Sequence, residues 1–257
     1  MPSTTNTPAN RYGSIAAEIY DIDKPFGALP DTAFHLERLT GVAGPILEPA
    51  CGSGRTLVPL LEAGLDVAGF DLSAEMLDRC KARCAERGHA PDLRLQRFED
   101  FAYESAFAAI IVPAGSFTLI DDFAVAMDVL RRFHANLAAG GLLVLDIQPL
   151  SSLAASGEDR RSWTAENGDL LTVEGNRQAT DWLAQTASYR IRYERWRDGA
   201  LIESQLEPMA QRFWGREEFA MALGVAGFGD IRVIGGYDRR RAPRRNDRVL
   251  TFEATRA

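Results

Sequence analysis

The sequence predicts an α/β fold: a doubly wound parallel sheet with helices on both faces, interrupted late in the chain by an antiparallel β insertion. Three observations carry that expectation. Between Gly44 and Pro149, short apolar runs alternate with amphipathic helical segments, the pattern of βαβ units. After Pro149 the period shortens to two, and Asn167-Gly168 and Asp198-Gly199 fall between alternating segments as hairpin-turn dipeptides. Beyond residue 212, one more helical segment and two strand-like runs let the parallel unit resume.

The first ten residues are rich in Thr, Pro and Asn, and are expected to be disordered or loosely held. IAAEIYDI, following Ser14, predicts a short helix carrying Tyr20, and DTAFHLERL predicts a second with Asp31 as its cap. GPILEPA predicts a buried strand, RTLVPLLEAG a helix closed by Gly64, LDVAGFDL a second strand, and SAEMLDRCKARCAERG a helix capped by Ser73. DLRLQRF and AAIIVPA follow as strands, FAVAMDVLRRFHANLAAGG as a helix and LLVLDIQ as a strand. REEFAMALGVAGFGDIRVIGGY supplies a helix and a strand, and DRVLTFEATR the last strand. The expected organisation is a helical lead-in or lid over 1–43, a core over 44–150, the insertion over 151–212 as a substrate cover or dimer face, and a completing segment over 213–257.

The chain has 257 residues, enough for one substantial core, with 46% apolar and 25% charged residues. A net charge of -7 argues against a general nucleic-acid binder, whose affinity rests on phosphate neutralisation. The three cysteines, Cys51, Cys80 and Cys84, form neither an even framework nor a C-x-x-C pair, so neither a disulfide scaffold nor a metal site is expected. No signal peptide or membrane-length apolar run is evident, which predicts a cytoplasmic protein without a membrane partner.

The most informative stretch is ILEPACGSGRTLVPLLEAG, Ile46 to Gly64. A dinucleotide loop needs G-x-G-x-x-G, with a pyrophosphate against the helix N-terminus. Gly52 and Gly54 are present, but Leu57 fills the third place, and Glu48 would set a carboxylate near that phosphate. The loop therefore suits a ligand without phosphates. Asp71, ending the second strand, is placed to accept both hydroxyls of a ribose, and Glu48 to serve an ammonium or order the loop. An adenosine with a cationic, amino-acid-like tail satisfies both.

ILEPACGSGR with VAGFDLSAEML resembles the first two motifs of the class I S-adenosylmethionine-dependent methyltransferases, of the small-molecule type. The resemblance spans Gly44 to Pro149 and returns in EEFAMALGVAGFGDIRV. It implies a Rossmann-like seven-stranded sheet and S-adenosylmethionine as cofactor, with S-adenosylhomocysteine as product and no metal. It further implies that Glu48 orders the glycine loop and meets the methionine amine, that Ala50 stands where glycine is usual, and that Gly52 and Gly54 match. Arg55 would reach the methionine carboxylate, Asp71 would hold the ribose, and Leu72 and Met76 would flank the adenine. Phe98 and Glu99 lie where adenine is contacted, with Arg97 in the approximate place of the usual adenine-binding acid. Val112 and Pro113, within IVPAGSF, fall where cofactor and acceptor meet, and Tyr12 and Tyr20 would close the site from the lead-in. Some relatives that methylate amino groups on sugars carry a histidine within the segment aligned with SFTLI. Thr118 and Leu119 exclude such a base here, and that acceptor class loses support.

The expected reaction is in-line methyl transfer to an O, N or C nucleophile of a small molecule, in a pocket including Ser116 and Phe117. No catalytic base is assigned, since orientation alone can supply roughly 7–11 kcal/mol. Two alternatives remain: a non-catalytic adenosylmethionine-binding regulator and an NAD-linked oxidoreductase. His35 and His134 read as packing or surface residues, and His89 as a turn residue. Arg239 to Arg245 reads as a solvated loop, with an anion clamp as the alternative. Trp163, Trp182, Trp196 and Trp214 would line a pocket or bury the face of a homodimer.

Overall fold

The computed structural model describes residues 12–256 apart from 28, 105 and 156. The polar stretch expected to be loosely held lies outside the described residues. A seven-stranded mixed sheet forms the centre. Its strands, in chain order, are β1 (Ile46–Pro49), β2 (Val67–Asp71), β3 (Leu93–Leu95), β4 (Phe107–Val112), β5 (Leu137–Ile147), β10 (Phe228–Gly235) and β11 (Leu250–Arg256). They lie in the order β10-β11-β5-β4-β1-β2-β3, with β5 to β3 mutually parallel and β11 and β10 antiparallel. Between them come β6 (Glu158–Thr164), β7 (Leu170–Asp181), β8 (Thr186–Arg197) and β9 (Ala200–Arg212), which form a separate antiparallel sheet.

Alternation along the central strands explains the helices on both faces. Ile46, Ile111 and Val144 face α2 (Pro30–Leu39), α3 (Leu57–Glu62) and α4 (Ala74–Glu86). Their neighbours Leu47, Ile110 and Leu143 face α5 (Phe123–Asn136) and α6 (Arg216–Val225). Each central strand is buried on both sides, and so reads as a continuous apolar run. The order reverses between β1 and β4, which makes the loop after β1 the natural ligand crevice.

Two expected boundaries are corrected. Leu137, Ala138 and Ala139 belong to β5 and not to the preceding helix, because Leu137 pairs with Phe107. Asp31 does not cap α2: the helix starts at Pro30, and the Asp31 carboxylate turns inward to Arg55. Ser73 does cap α4, accepting from the Met76 N–H at 3.1 Å. Asp198 and Gly199 both adopt positive φ, 47° and 78°, as a type I′ hairpin requires.

A short helix, α1 (Ser14–Asp23), is wedged between the central unit and the antiparallel sheet. Ile15, Ala16 and Ile19 pack against Leu171, Val173 and Tyr193 of that sheet. Its free N-terminal amides are satisfied from outside: Gly13 N–H donates to Glu207 at 2.6 Å and Ile15 N–H to Gln205 at 3.2 Å. The outer face of the same sheet is polar, with Arg160 and Arg192 both paired to Glu174 across the strands. No helix among the described residues is long and apolar enough to cross a membrane.

Candidate active site

The glycine loop is held by the acid that follows it. Gly52 N–H donates to Asp71 Oδ2 at 2.9 Å and Ser73 N–H to Oδ1 at 2.8 Å, so one carboxylate pins the loop after β1 and the start of α4. Burial raises the Asp71 pKa, opposed by the N–H groups of Ser73, Gly52 and Leu72. The two glycines act differently. Gly52 has φ 56° and open space beside it, whereas a Cβ at Gly54 would come within 2.8 Å of Cys80 Sγ. The missing third glycine also has an explanation: a Cβ at Gly69 on β2 would lie 2.7 Å from Leu57 Cδ1. The close packing that a third glycine would provide on the helix is provided by Gly69 on the strand.

Ala50 carries φ 53°, the left-handed region that a Cβ disfavours by roughly 1–2 kcal/mol. Ala50→Gly is therefore expected to raise unfolding stability by about 0.5–1 kcal/mol after the entropy of glycine is counted. Urea denaturation measures it.

A cavity of about 230 Å³ opens beside this loop. Tyr12, Tyr20, Ala50, Gly52, Asp71, Leu72, Met76, Phe98 and Glu99 line it, together with Ser116. Glu48, Gly54, Arg55, Val112 and Pro113 are not among its lining residues. Val112 and Pro113 are buried behind it, the former in the core. Arg55 is 4% exposed and makes a bidentate pair with Asp31, at 2.7 and 2.6 Å. Burial alone would raise the Asp31 pKa, but the Arg55 guanidinium holds it below the ordinary value. Glu48 is 3% exposed, its Oε2 has no hydrogen-bond partner among the described residues, and burial pushes its pKa well up. Phe117 is fully buried against Phe133, Trp214 and Phe219, so it is a core residue and not a pocket wall.

Sequence reading missed Phe70, Gln96, Leu119 to Asp122 and Val125 on the same cavity. Gln96 Oε1 is buried without a hydrogen-bond partner among the described residues. Its position directly after β3, at a strand's carboxyl end, was the available signal.

A second cavity of about 410 Å³ adjoins the first and shares Tyr12, Tyr20, Ser116 and Leu119 with it. Its roof is the inner face of the antiparallel sheet, where period-two register presents Val173, Tyr189, Ile191, Tyr193 and Met209 on one side. Its floor is the turn after β4, where Ala114 and Gly115 have φ 58° and 75°. That turn is anchored by Asp146, fully buried at the end of β5, which accepts from Ala114 N–H at 2.9 Å, Tyr237 OH at 2.8 Å and Thr251 Oγ1 at 2.6 Å.

Asp21 ties the side of helix α1 that faces the central unit. Asp21 accepts from Ser53 Oγ at 2.6 Å and from Arg79 at 3.1 Å, and pairs with Arg83 at 2.7 Å. Asp21→Asn removes the charge that ties α1 to the glycine loop and α4. Amide hydrogen exchange over Ser14–Asp23 should quicken about tenfold, with the fold retained.

The basic run is neutralised locally only in part. Arg239 pairs with Glu253 and Arg241 with Asp247, and none of Arg239 to Arg245 lines either cavity. The tryptophans also stay out of both cavities: Trp214 is core, Trp163 packs beside α1, and Trp182 is exposed.

Residues 46–141 match the family model described as a methyltransferase domain. That segment is similar to a methyltransferase domain. The fold of the whole chain agrees. A crystal structure of an S-adenosylmethionine-dependent methyltransferase from Clostridium acetobutylicum ATCC 824 superposes with TM-score 0.77 at 20% identity, covering 93% of this chain and 96% of that one. The CcbJ methyltransferase from Streptomyces caelestis also gives 0.77, at 23% identity, covering 96% and 98%. Among curated proteins, a glycine/sarcosine N-methyltransferase of Halorhodospira halochloris is 34% identical over 118 residues, 44% of this chain and 43% of that protein. The matched segment contains the Asp71 loop and the Asp21 partners on α4, and the antiparallel sheet follows it in the chain.

Proposed function

We propose that the chain transfers the S-adenosylmethionine methyl group to an O, N or C nucleophile of a small molecule by in-line displacement. The carrying observation is the junction of two cavities at Tyr12, Tyr20, Ser116 and Leu119, with Asp71 in the first. The adenosine of the donor lies in the smaller cavity, with its sulfur at the junction. Asp71 would receive the ribose hydroxyls on the lone pairs its backbone bonds leave free, and Leu72, Met76 and Phe98 would enclose the adenine. Gln96 Oε1 would accept from the adenine amino group. Glu48 Oε2, buried without a hydrogen-bond partner among the described residues, is held off the lining of both cavities, so its proposed part is to order the glycine loop and to draw the methionine ammonium towards it.

The bound cofactor supplies a methyl group on a positively charged sulfur. The protein supplies orientation and a dry seam. Tyr12 and Tyr20 stand edge to face, with ring centroids 5.8 Å apart, at the boundary of the two cavities. Burial raises both hydroxyl pKa values, so they remain neutral O–H groups beside the reacting centre. The lead-in and the antiparallel sheet act as the cover, and the acceptor lies between that sheet and the Ala114–Gly115 turn.

The test is incubation with methyl-labelled S-adenosylmethionine and a panel of small-molecule acceptors. Label in an acceptor, with matching S-adenosylhomocysteine, is the expected result. Binding without transfer across the panel would favour a regulatory module.

A further inference from the structure

Building on that methyl-transfer reading, we propose that the acceptor is a drug-sized molecule without negative charge, recognised by Gln148 and Gln211 and not by a cation. Size is the first argument. A cavity of about 410 Å³ lies within the roughly 300–1,000 Å³ typical of drug-sized ligands, far more than an amino acid such as glycine would fill.

Charge is the second. The two cations on the lining are both held. Arg161 pairs with Asp159 at 2.6 Å and also with Asp23, while Lys24 lies 3.4 Å from Asp23 and over the Tyr20 ring. A carboxylate or phosphate on the acceptor would therefore find no uncommitted cation on this lining among the described residues.

Hydrogen bonding is the third. Gln148 and Gln211 line this cavity, and no side-chain hydrogen bond forms at either among the described residues. Gln148 packs under the junction turn, its Cγ 3.4 Å from where a Gly115 Cβ would be. Gln211 projects from the inner face of β9, two residues beyond Met209. A carboxamide offers a donor and an acceptor together, which suits hydroxyl or amide groups. Ile19, Val173 and Ile191 complete an apolar wall for the rest of the molecule. Specificity then follows from polar groups left unpaired by the wrong ligand.

Matched acceptors that differ only in carboxylate against carboxamide test this directly. Suitable pairs are 3,4-dihydroxybenzoate with 3,4-dihydroxybenzamide, 4-aminophenylacetate with its amide, and glycine with glycinamide. Methyl transfer is followed by mass spectrometry, and binding to the adenosylhomocysteine complex by calorimetry. The amide of a ring-bearing pair is expected to bind or turn over at least tenfold better than its acid. Asp159→Asn, which loosens the grip on Arg161, should narrow that preference, and Gln211→Leu should weaken amide binding while adenosylhomocysteine affinity is unchanged. Equal or better use of the acids, or of glycine, would overturn the proposal. So would failure of every pair to bind or react; retained adenosylhomocysteine binding would then leave the donor site standing, whereas its loss would overturn the underlying reading as well.

Discussion

Replacing Asp71 with alanine is expected to weaken S-adenosylhomocysteine binding at least about 100-fold, the largest loss of any single change in the donor cavity. Two effects combine. The substitution removes the ribose acceptor, and it releases the Gly52 and Ser73 amides that the carboxylate holds at 2.9 and 2.8 Å. Asp71→Asn keeps one acceptor oxygen and should lose less. The pH dependence has a defined sign. Burial raises the folded-state pKa of Asp71 above 3.8, so this group alone favours the folded state as pH falls. The ribose acceptor is the ionised form, however, and affinity should begin to fall on acidification at a higher pH than an ordinary aspartate would dictate. Calorimetric titration across that range checks both statements.

Arg55→Met is expected to cost about 3–5 kcal/mol of unfolding free energy at neutral pH, because it leaves the Asp31 carboxylate buried without its partner. Asp31 and Arg55 are each 4% exposed, and their two contacts at 2.6 and 2.7 Å satisfy both carboxylate oxygens. The depressed pKa of Asp31 means that the pair's contribution is present above pH 3.8 and lost as pH falls through the lower, folded value. In the variant, burial would act unopposed and raise that pKa. The deficit against the parent should therefore narrow as pH falls from 7 towards 5. Asp31→Asn on the same background removes the unpaired charge, and should recover much of the loss. A deficit independent of pH, or no recovery in the double variant, would assign Arg55 a packing role instead.

These two residues show how far sequence reaches. Asp71 was legible because its function follows from chain position: a carboxylate at the end of the second parallel strand faces the crevice whatever the rest of the chain does. Gly52 and Gly54 were legible for the same reason, although their division of labour needed the distances around Cys80. Arg55 was legible as a charge needing an anion at a helix start. Its anion is Asp31, which local pattern assigns to a helix cap, and only packing of α2 against α3 brings the two together.

The acceptor side was barely legible. Its lining alternates along β7, β8 and β9, and closes against α1 and the turn after β4, both far away in sequence. The hairpin dipeptides predicted the sheet, but not which face would meet α1. That choice depends on Gln205 and Glu207 reaching the start of α1, some 190 residues away. Ser116 and Phe117 are neighbours with opposite fates, because the left-handed turn at Ala114 and Gly115 points one into the seam and the other into the core.

A crystal structure with S-adenosylhomocysteine bound tests the central claim most directly. The account predicts the ribose hydroxyls on Asp71, the adenine between Leu72, Met76 and Phe98 with its amino group on Gln96, and the sulfur facing the seam at Tyr12, Tyr20 and Ser116. A ligand seated outside the smaller cavity, or one whose ribose turns away from Asp71, would contradict it.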